Sequence, residues 1–168
     1  MNILERFAPI RVFVFDIDGV FNNGQLLLTS DSEMLHSLNV KDSYALEQAI
    51  KKGYKIWIIS HGISEASKAR FNKLGITEAY DGVNNKKEFL QELVAKAHVP
   101  YEHLLYMGDD LPDYAAMQIC GLSTCPNDAV GEIRQIAKYI SPYKGGEGCI
   151  RDVIEKVMKL NGDWELPS

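Results

Sequence analysis

Short apolar runs of four or five residues alternate along the chain with stretches whose apolar positions recur every three or four residues. Arg11–Phe15 and Lys55–Ile59 are β-rich runs without a polar face, the pattern of strands covered on both sides. Leu104–Met107 is a third, and Leu122–Thr124 and Tyr139–Ile140 are shorter ones. Helical periodicity fills the intervals. One helix is predicted from a cap at Asp42 or Ser43 to about Lys52, with Leu46, Ala49 and Ile50 on one face and Gly53 as its stop. Others are predicted over Ser64–Leu74 before Gly75, from about Asn85 to Ala97, over Leu111–Ile119, near Val130–Ala137 and over Cys149–Leu160. A short strand fits between the second and third of these helices. The polar break Ser30-Asp31-Ser32 joins Gln25–Thr29 to Glu33–Leu38 as a hairpin, and Asn161–Ser168 is a polar tail containing Trp164.

Alternating strands and helices predict an α/β fold, a mostly parallel Rossmann-like sheet flanked by helices. A β-hairpin at about 24–39 is inserted, and the length of 168 residues suits a single domain spanning 1–168. Right-handed crossovers bring the carboxyl ends of parallel strands to one edge, where ligands bind in such sheets.

Composition narrows the partners. With 23 acidic and 18 basic side chains the net charge is −5, against nonspecific nucleic-acid binding, which needs a basic face. No apolar run approaches the roughly 20 residues that span a bilayer. Met1–Ile10 carries Glu5 and Arg6 and lacks the apolar stretch of a secretory signal. Cys120, Cys125 and Cys149 form no CxxC pair, so buried thiols in a reducing cytoplasm are expected.

The chemistry collects at the predicted strand ends. Asp16 and Asp18 follow the first strand, and Ser60 and His61 follow the second. Lys86 stands at a helix start, and Asp109, Asp110 and Asp113 follow Leu104–Met107. Five carboxylates on one rim raise each other's pKa values or recruit a cation. Oxygen ligands with room for phosphate oxygens suit Mg²⁺. A hydroxyl and an ammonium opposite would complete a cradle for a phosphoryl group. Each motif alone has a plainer reading: D-x-D-G as a strand-ending turn, G-D-D-x-x-D as a helix cap with Pro112 in the first turn, Gly145–Gly148 as a flexible turn. A calcium loop fails, because its frame puts Val14 at the first ligand position and Gln25 at the twelfth.

D-x-D-G, Ser, Lys and G-D-D-x-x-D in that order resemble the haloacid dehalogenase superfamily of phosphatases. Within it the chain is similar to the 3-deoxy-D-manno-octulosonate 8-phosphate phosphatase family, over nearly its whole length: DIDGVFNNG, LNVKDSYAL, KLGITEAYDGVNNK, YMGDDLPD and GGEGCIRDVIEKVM. The resemblance implies a haloacid dehalogenase fold without a cap domain and a Mg²⁺-dependent hydrolysis through an aspartyl phosphate. Asp16 would be the nucleophile and Asp18 the acid and base. The metal would sit on Asp16, the carbonyl of Asp18 and Asp109, with Ser60 and Lys86 holding phosphoryl oxygens and Asp110 and Asp113 in support. It also implies a sugar-acid phosphate as substrate, a cytoplasmic place in lipopolysaccharide biosynthesis, and a homotetramer. In that assembly hairpins such as Gln25–Leu28 would pack together, and a neighbour's tail, Trp164 included, would cover the site.

Two departures bear on the sugar. Where the family shows a hydroxyl residue followed by Gly-Arg, this chain has Ser60-His61-Gly62. Where it shows Arg-Asp-Gly, this chain has Lys41-Asp42-Ser43, and lysine lacks arginine's bidentate geometry. Lys41, Asp42, His61 and Gly62 are therefore candidate substrate contacts, His61 standing against the plainer alternative of an ordinary loop histidine. A nine-carbon, sialic-acid-type 9-phosphate is the alternative substrate, and a catalytically retired assembly domain the alternative role. A phosphoacceptor receiver domain uses similar residues in another chain order and is rejected.

Overall fold

The structure, a computed structural model, describes residues 2–168. Its frame is a six-stranded sheet built from β1 (Val12–Phe15), β4 (Lys55–Ile59), β5 (Ala79–Tyr80), β6 (Leu104–Met107), β7 (Leu122–Cys125) and β8 (Tyr139–Ile140), in the order β5-β4-β1-β6-β7-β8. Every pairing in it is parallel. The chain builds outward from β1 to β5, then returns to the other side of β1 for β6. The order therefore reverses between β1 and β6, where a crevice opens at the carboxyl ends.

Both faces are covered, which is why the strands read as unbroken apolar runs. Phe13 and Phe15 point to one face and pack with Leu46 of α2 (Val40–Lys51), Phe71 of α3 (Glu65–Leu74) and Val153 of α7 (Cys149–Leu160). Val12 and Val14 point to the other, with Leu90 of α4 (Lys86–Ala97), Met117 of α5 (Tyr114–Ile119) and Ile133 of α6 (Gly131–Ile136). Cys120, Cys125 and Cys149 are buried and free. Among the described residues no helix is long and apolar enough to cross a membrane.

Local chemistry shifts several boundaries. A short helix α1 (Ile3–Phe7), capped by Asn2, precedes β1 where no element was expected. α2 starts before its expected cap because Asn39 does the capping, its Oδ1 accepting from the Lys41 N–H at 2.8 Å. Asp42 is turned away, 1% exposed, and its Oδ1 accepts from the Arg151 N–H at 2.9 Å. It thus satisfies the first turn of α7, whose own cap residue Gly148 has no side chain to do so. The expected helix over Leu111–Ile119 divides into a 3₁₀ turn, Leu111–Asp113, and α5. The hairpin shrinks to β2 (Leu27–Leu28) and β3 (Met34–Leu35), an antiparallel pair apart from the main sheet. Trp164 does not hang free: it packs edge-on against Tyr44, ring centroids 6.0 Å apart, with the Arg151 guanidinium 5.4 Å from its ring.

The Gly145–Gly148 segment is not a loose turn either. The Gly145 N–H donates to Asp128 Oδ1 and the Gly146 N–H to the Val20 carbonyl, each at 3.0 Å. A Cβ on Gly145 would lie 2.0 Å from the Gly19 carbonyl oxygen, so a side chain there would push on the loop after β1. Gly145→Ala is expected to cost about 1–3 kcal/mol in urea unfolding, the usual range for overpacking, by pushing on that loop.

Candidate active site

β1 and β6 end side by side, and the residues after them interlock. Asp16 is held by its N–H on the Met107 carbonyl at 3.2 Å, so the first acid continues the register of the sheet. The chain then turns through Gly19 at φ +83°, a conformation that favours glycine. A Cβ at Gly19 would also lie 1.8 Å from Asp109 Oδ2: the second acid motif leans into the space left by the first motif's glycine. D-x-D-G and G-D-D-x-x-D are thus two halves of one packed unit.

Lys86, the first residue of α4, reaches into this unit. Asn85 caps the helix through the Glu88 N–H at 3.2 Å. A cation at a helix N-terminus opposes the dipole, and Lys86 is only 4% exposed, so its place there needs compensation. Compensation comes from Asp16 Oδ1 and Asp113 Oδ1, each 2.8 Å from Nζ. Burial works against the lysine's charge, but the two carboxylates outweigh it and raise the pKa. Asp113 is fully buried and fully used. Oδ1 also accepts from the Tyr106 hydroxyl at 2.9 Å, and Oδ2 accepts from the Asp109 N–H at 3.1 Å.

Crowding shows in the remaining acids. Burial, reinforced by the charge of Asp113 and opposed by Lys86, raises Asp16 to about 7. Burial and the charges of Asp16 and Asp113 raise Asp109 to about 8. Carboxyl oxygens of Asp16, Asp109 and Asp113 lie within 4.8 Å of one another, spacing that can hold a metal ion. Because Asp113 already spends both oxygens inside the protein, Asp16 and Asp109 are the pair left to face a cation.

Above this unit lies a cavity of about 350 Å³ lined by Asp16, Asp18, Gly24, Ser60, His61, Lys86, Asp109, Asp110 and Pro112. Asp18 is on its exposed wall, with Oδ1 accepting from Asn22 Nδ2 at 3.1 Å. Ser60 is buried and donates its hydroxyl to the Gly62 carbonyl at 3.0 Å. His61 Nδ1 is 3.2 Å from the Val83 carbonyl, which fixes the proton on Nδ1 and leaves Nε2 free. Asp110 is spent on the turn after β6, accepting from the Leu111 N–H at 2.7 Å.

Three predicted contacts do not line this cavity: Gly62, whose carbonyl takes the Ser60 hydroxyl, Asp42 and Lys41. Asp42 sits between α2 and α7, and Lys41 lines a different cavity beside the start of α7. Three residues that the sequence did not single out hold the site together: Asn22 and His36 around Asp18, and Tyr106 beneath Asp113. Tyr106 had a signal, since a tyrosine in a fully buried strand needs a partner for its hydroxyl.

Comparison with known proteins agrees with the fold. The sequence profile described as haloacid dehalogenase-like hydrolase matches residues 32–153. The 3-deoxy-D-manno-octulosonate 8-phosphate phosphatase of Yersinia pestis is 33% identical over 165 residues, 96% of this chain and 88% of the relative. Its counterpart from Escherichia coli K12 is 30% identical over 161 residues, 96% and 86% of the two chains. The crystal structure of the Yersinia pestis enzyme superposes with a TM-score of 0.92 at 32% identity, covering 96% of this chain and 87% of that one. A Moraxella catarrhalis phosphatase of the same name, in complex with magnesium ion, phosphate ion and a KDO molecule, gives a TM-score of 0.90 at 28% identity, covering 94% and 91%. The chain belongs to the haloacid dehalogenase-like hydrolases. Among them it is a phosphatase, akin to the 3-deoxy-D-manno-octulosonate 8-phosphate phosphatases.

Proposed function

We propose that the chain removes the terminal phosphate of 3-deoxy-D-manno-octulosonate 8-phosphate through an aspartyl-phosphate intermediate on Asp16. The observation that carries this is the single cavity in which Asp16, Lys86 and Asp109 meet beside Asp18 and Ser60. In this reading Asp16 attacks phosphorus in line, and Asp18 gives a proton to the leaving alkoxide and later takes one from water. Lys86 and Ser60 stabilise the equatorial oxygens, with Asp113 and Tyr106 fixing the lysine. The substrate names come from the relatives described above, and the eight-carbon acid is favoured over the nine-carbon one on that ground. The deciding assay is kcat/KM for the two acid phosphates side by side; preference for the nine-carbon compound would overturn the substrate assignment.

Asp16 and Asp109 would hold Mg²⁺, with the backbone carbonyl of Asp18 as a further donor, since hard oxygen ligands gathered within 4.8 Å suit that ion. The cation would neutralise charge on the transferring group. EDTA is expected to abolish turnover and added Mg²⁺ to restore it. Stability gives a second check. Both acids have folded pKa values above their ordinary 3.8, so without a cation the folded state prefers them protonated, and their contribution is lost as pH rises through about 7 to 8. A cation that binds the charged forms reverses this. Mg²⁺ should therefore raise Tm more at pH 8.5 than at pH 5.5; an equal rise at both would count against these ligands.

We further propose a homotetramer working in the cytoplasm. Leu27 pairs with Leu35 and Leu28 with Met34, yet all four side chains are exposed, Leu28 by 69%. A two-stranded ribbon apolar on both sides is unstable alone, and packing against copies of itself would bury it. Light scattering should give four chains for the native protein and fewer for Leu28→Glu.

A further inference from the structure

Asp18 is an exposed acid of the site, its side chain 60% accessible, and an unrestrained carboxyl there would turn freely. Its neighbours restrain it. Asn22 is fully buried, and its Oδ1 accepts from the Gly19 N–H at 3.0 Å and the Gly24 N–H at 2.9 Å. Those two donors settle which way the amide faces, since the opposite orientation would set its NH₂ group against two N–H groups. Asn22 Nδ2 must then face outward. One of its hydrogens goes to Asp18 Oδ1 at 3.1 Å, and His36 Nδ1, 3.2 Å away, accepts the other when the ring proton is on Nε2. His36, just beyond β3, lies with Nδ1 3.4 Å from Asp18 Oδ1 and its side chain 19% exposed. All four hydrogen-bonding positions of Asn22 are thereby used.

We propose that Asn22, braced by His36, is the positioning residue of the acid: it holds Asp18 Oδ1 as an acceptor, so that the transferable proton resides on Oδ2. This rests on the assignment of Asp18 as acid and names what aims it. In the step concerned, an Asp16 oxygen forms a bond to phosphorus and the bond from phosphorus to the leaving oxygen breaks. The electron pair stays on that oxygen, which takes the proton from Asp18 Oδ2. His36 brings a residue of the hairpin loop into this arrangement, and so ties the inserted ribbon to the chemistry.

Leaving-group dependence tests it without reference to the natural sugar. A p-nitrophenolate departs with little need of a proton, whereas phenolate and p-methoxyphenolate need one more. The quantity to compare is kcat/KM for the three aryl phosphates, because it stops at the first irreversible step, cleavage of the ester. His36→Ala and Asn22→Asp, which keeps an acceptor for Gly19 and Gly24, should lose about tenfold more on p-methoxyphenyl than on p-nitrophenyl phosphate. His36→Asn, with an oxygen near the position of Nδ1, should recover most of the loss. Asp18→Asn is the reference and should give the same slope more steeply. If Asp18→Asn has the steep slope while His36→Ala loses equally on all three esters, the positioning role is overturned and the acid assignment stands. If Asp18→Asn has no such slope, the acid assignment itself falls. Unchanged Tm for His36→Ala separates either result from misfolding.

Discussion

Asp16→Asn is expected to leave a folded protein without turnover, the loss reaching at least about 10⁴-fold, as when a nucleophile is removed from a group that acts as a unit. Asparagine has the shape of aspartate and can still accept a hydrogen bond from Lys86, whose other partner, Asp113, stays in place. The amide cannot attack phosphorus. It also removes one of the charges that raise Asp109, so the metal-free variant should be no less stable than the native protein at pH 8. Activity on p-nitrophenyl phosphate and a thermal melt check both halves. A variant retaining a tenth of native turnover would dismiss Asp16 as nucleophile.

Lys86→Met should have the second largest effect, and on two quantities. Without the ammonium, the equatorial oxygens lose a positioned cation, and kcat/KM is expected to fall by about 10²–10³-fold. Asp113 loses its counter-charge while fully buried, with Tyr106 and the Asp109 N–H as its remaining donors. Breaking such a pair costs about 3–5 kcal/mol. Lys86 also holds the Asp16 carboxyl down against burial and the charge of Asp113, so without it Asp16 is pushed up further. The variant's deficit should therefore widen as pH rises through about 7, where Asp16 ionises in the native protein. Melts at pH 4.5 and pH 8 would read this directly, and a pH-independent loss would mean that Lys86 contributes packing rather than charge.

Much of the fold was legible because the periodicities were clean. The limits of α7 follow from apolar positions such as Ile150, Val153, Ile154 and Val157, all of which are buried. Gly75 ends α3 at φ +89°, as its place after the last apolar residue suggested. The misplaced start of α2 has a specific cause. Asp42 is an acceptable cap by local rules, but it is drawn off to serve α7 across the interface, 109 residues away in sequence. Long-range use of a local signal cannot be read from spacing. The same holds for Gly145, whose need to be small comes from a backbone 126 positions earlier.

The site divides along the same line. Asp16, Asp18, Ser60 and Asp109 announce themselves by residue type at strand ends and Lys86 at a helix start, and the cavity gathers them. What fixes their geometry does not. Asn22 is an ordinary turn residue in sequence, and its part emerges only when Gly19 and Gly24 settle the direction of its amide. Tyr106 reads as core and is core, with one hydroxyl that bears on Lys86 through Asp113.

The most direct test of the whole account is to quench turnover with acid within the first cycle and map the phosphoryl group by peptide mass spectrometry. One hydroxylamine-sensitive acyl phosphate is expected, on the peptide carrying Asp16, absent from Asp16→Asn and accumulating in Asp18→Asn. Turnover that leaves no phosphoenzyme, or one that carries the group on His61, would contradict it.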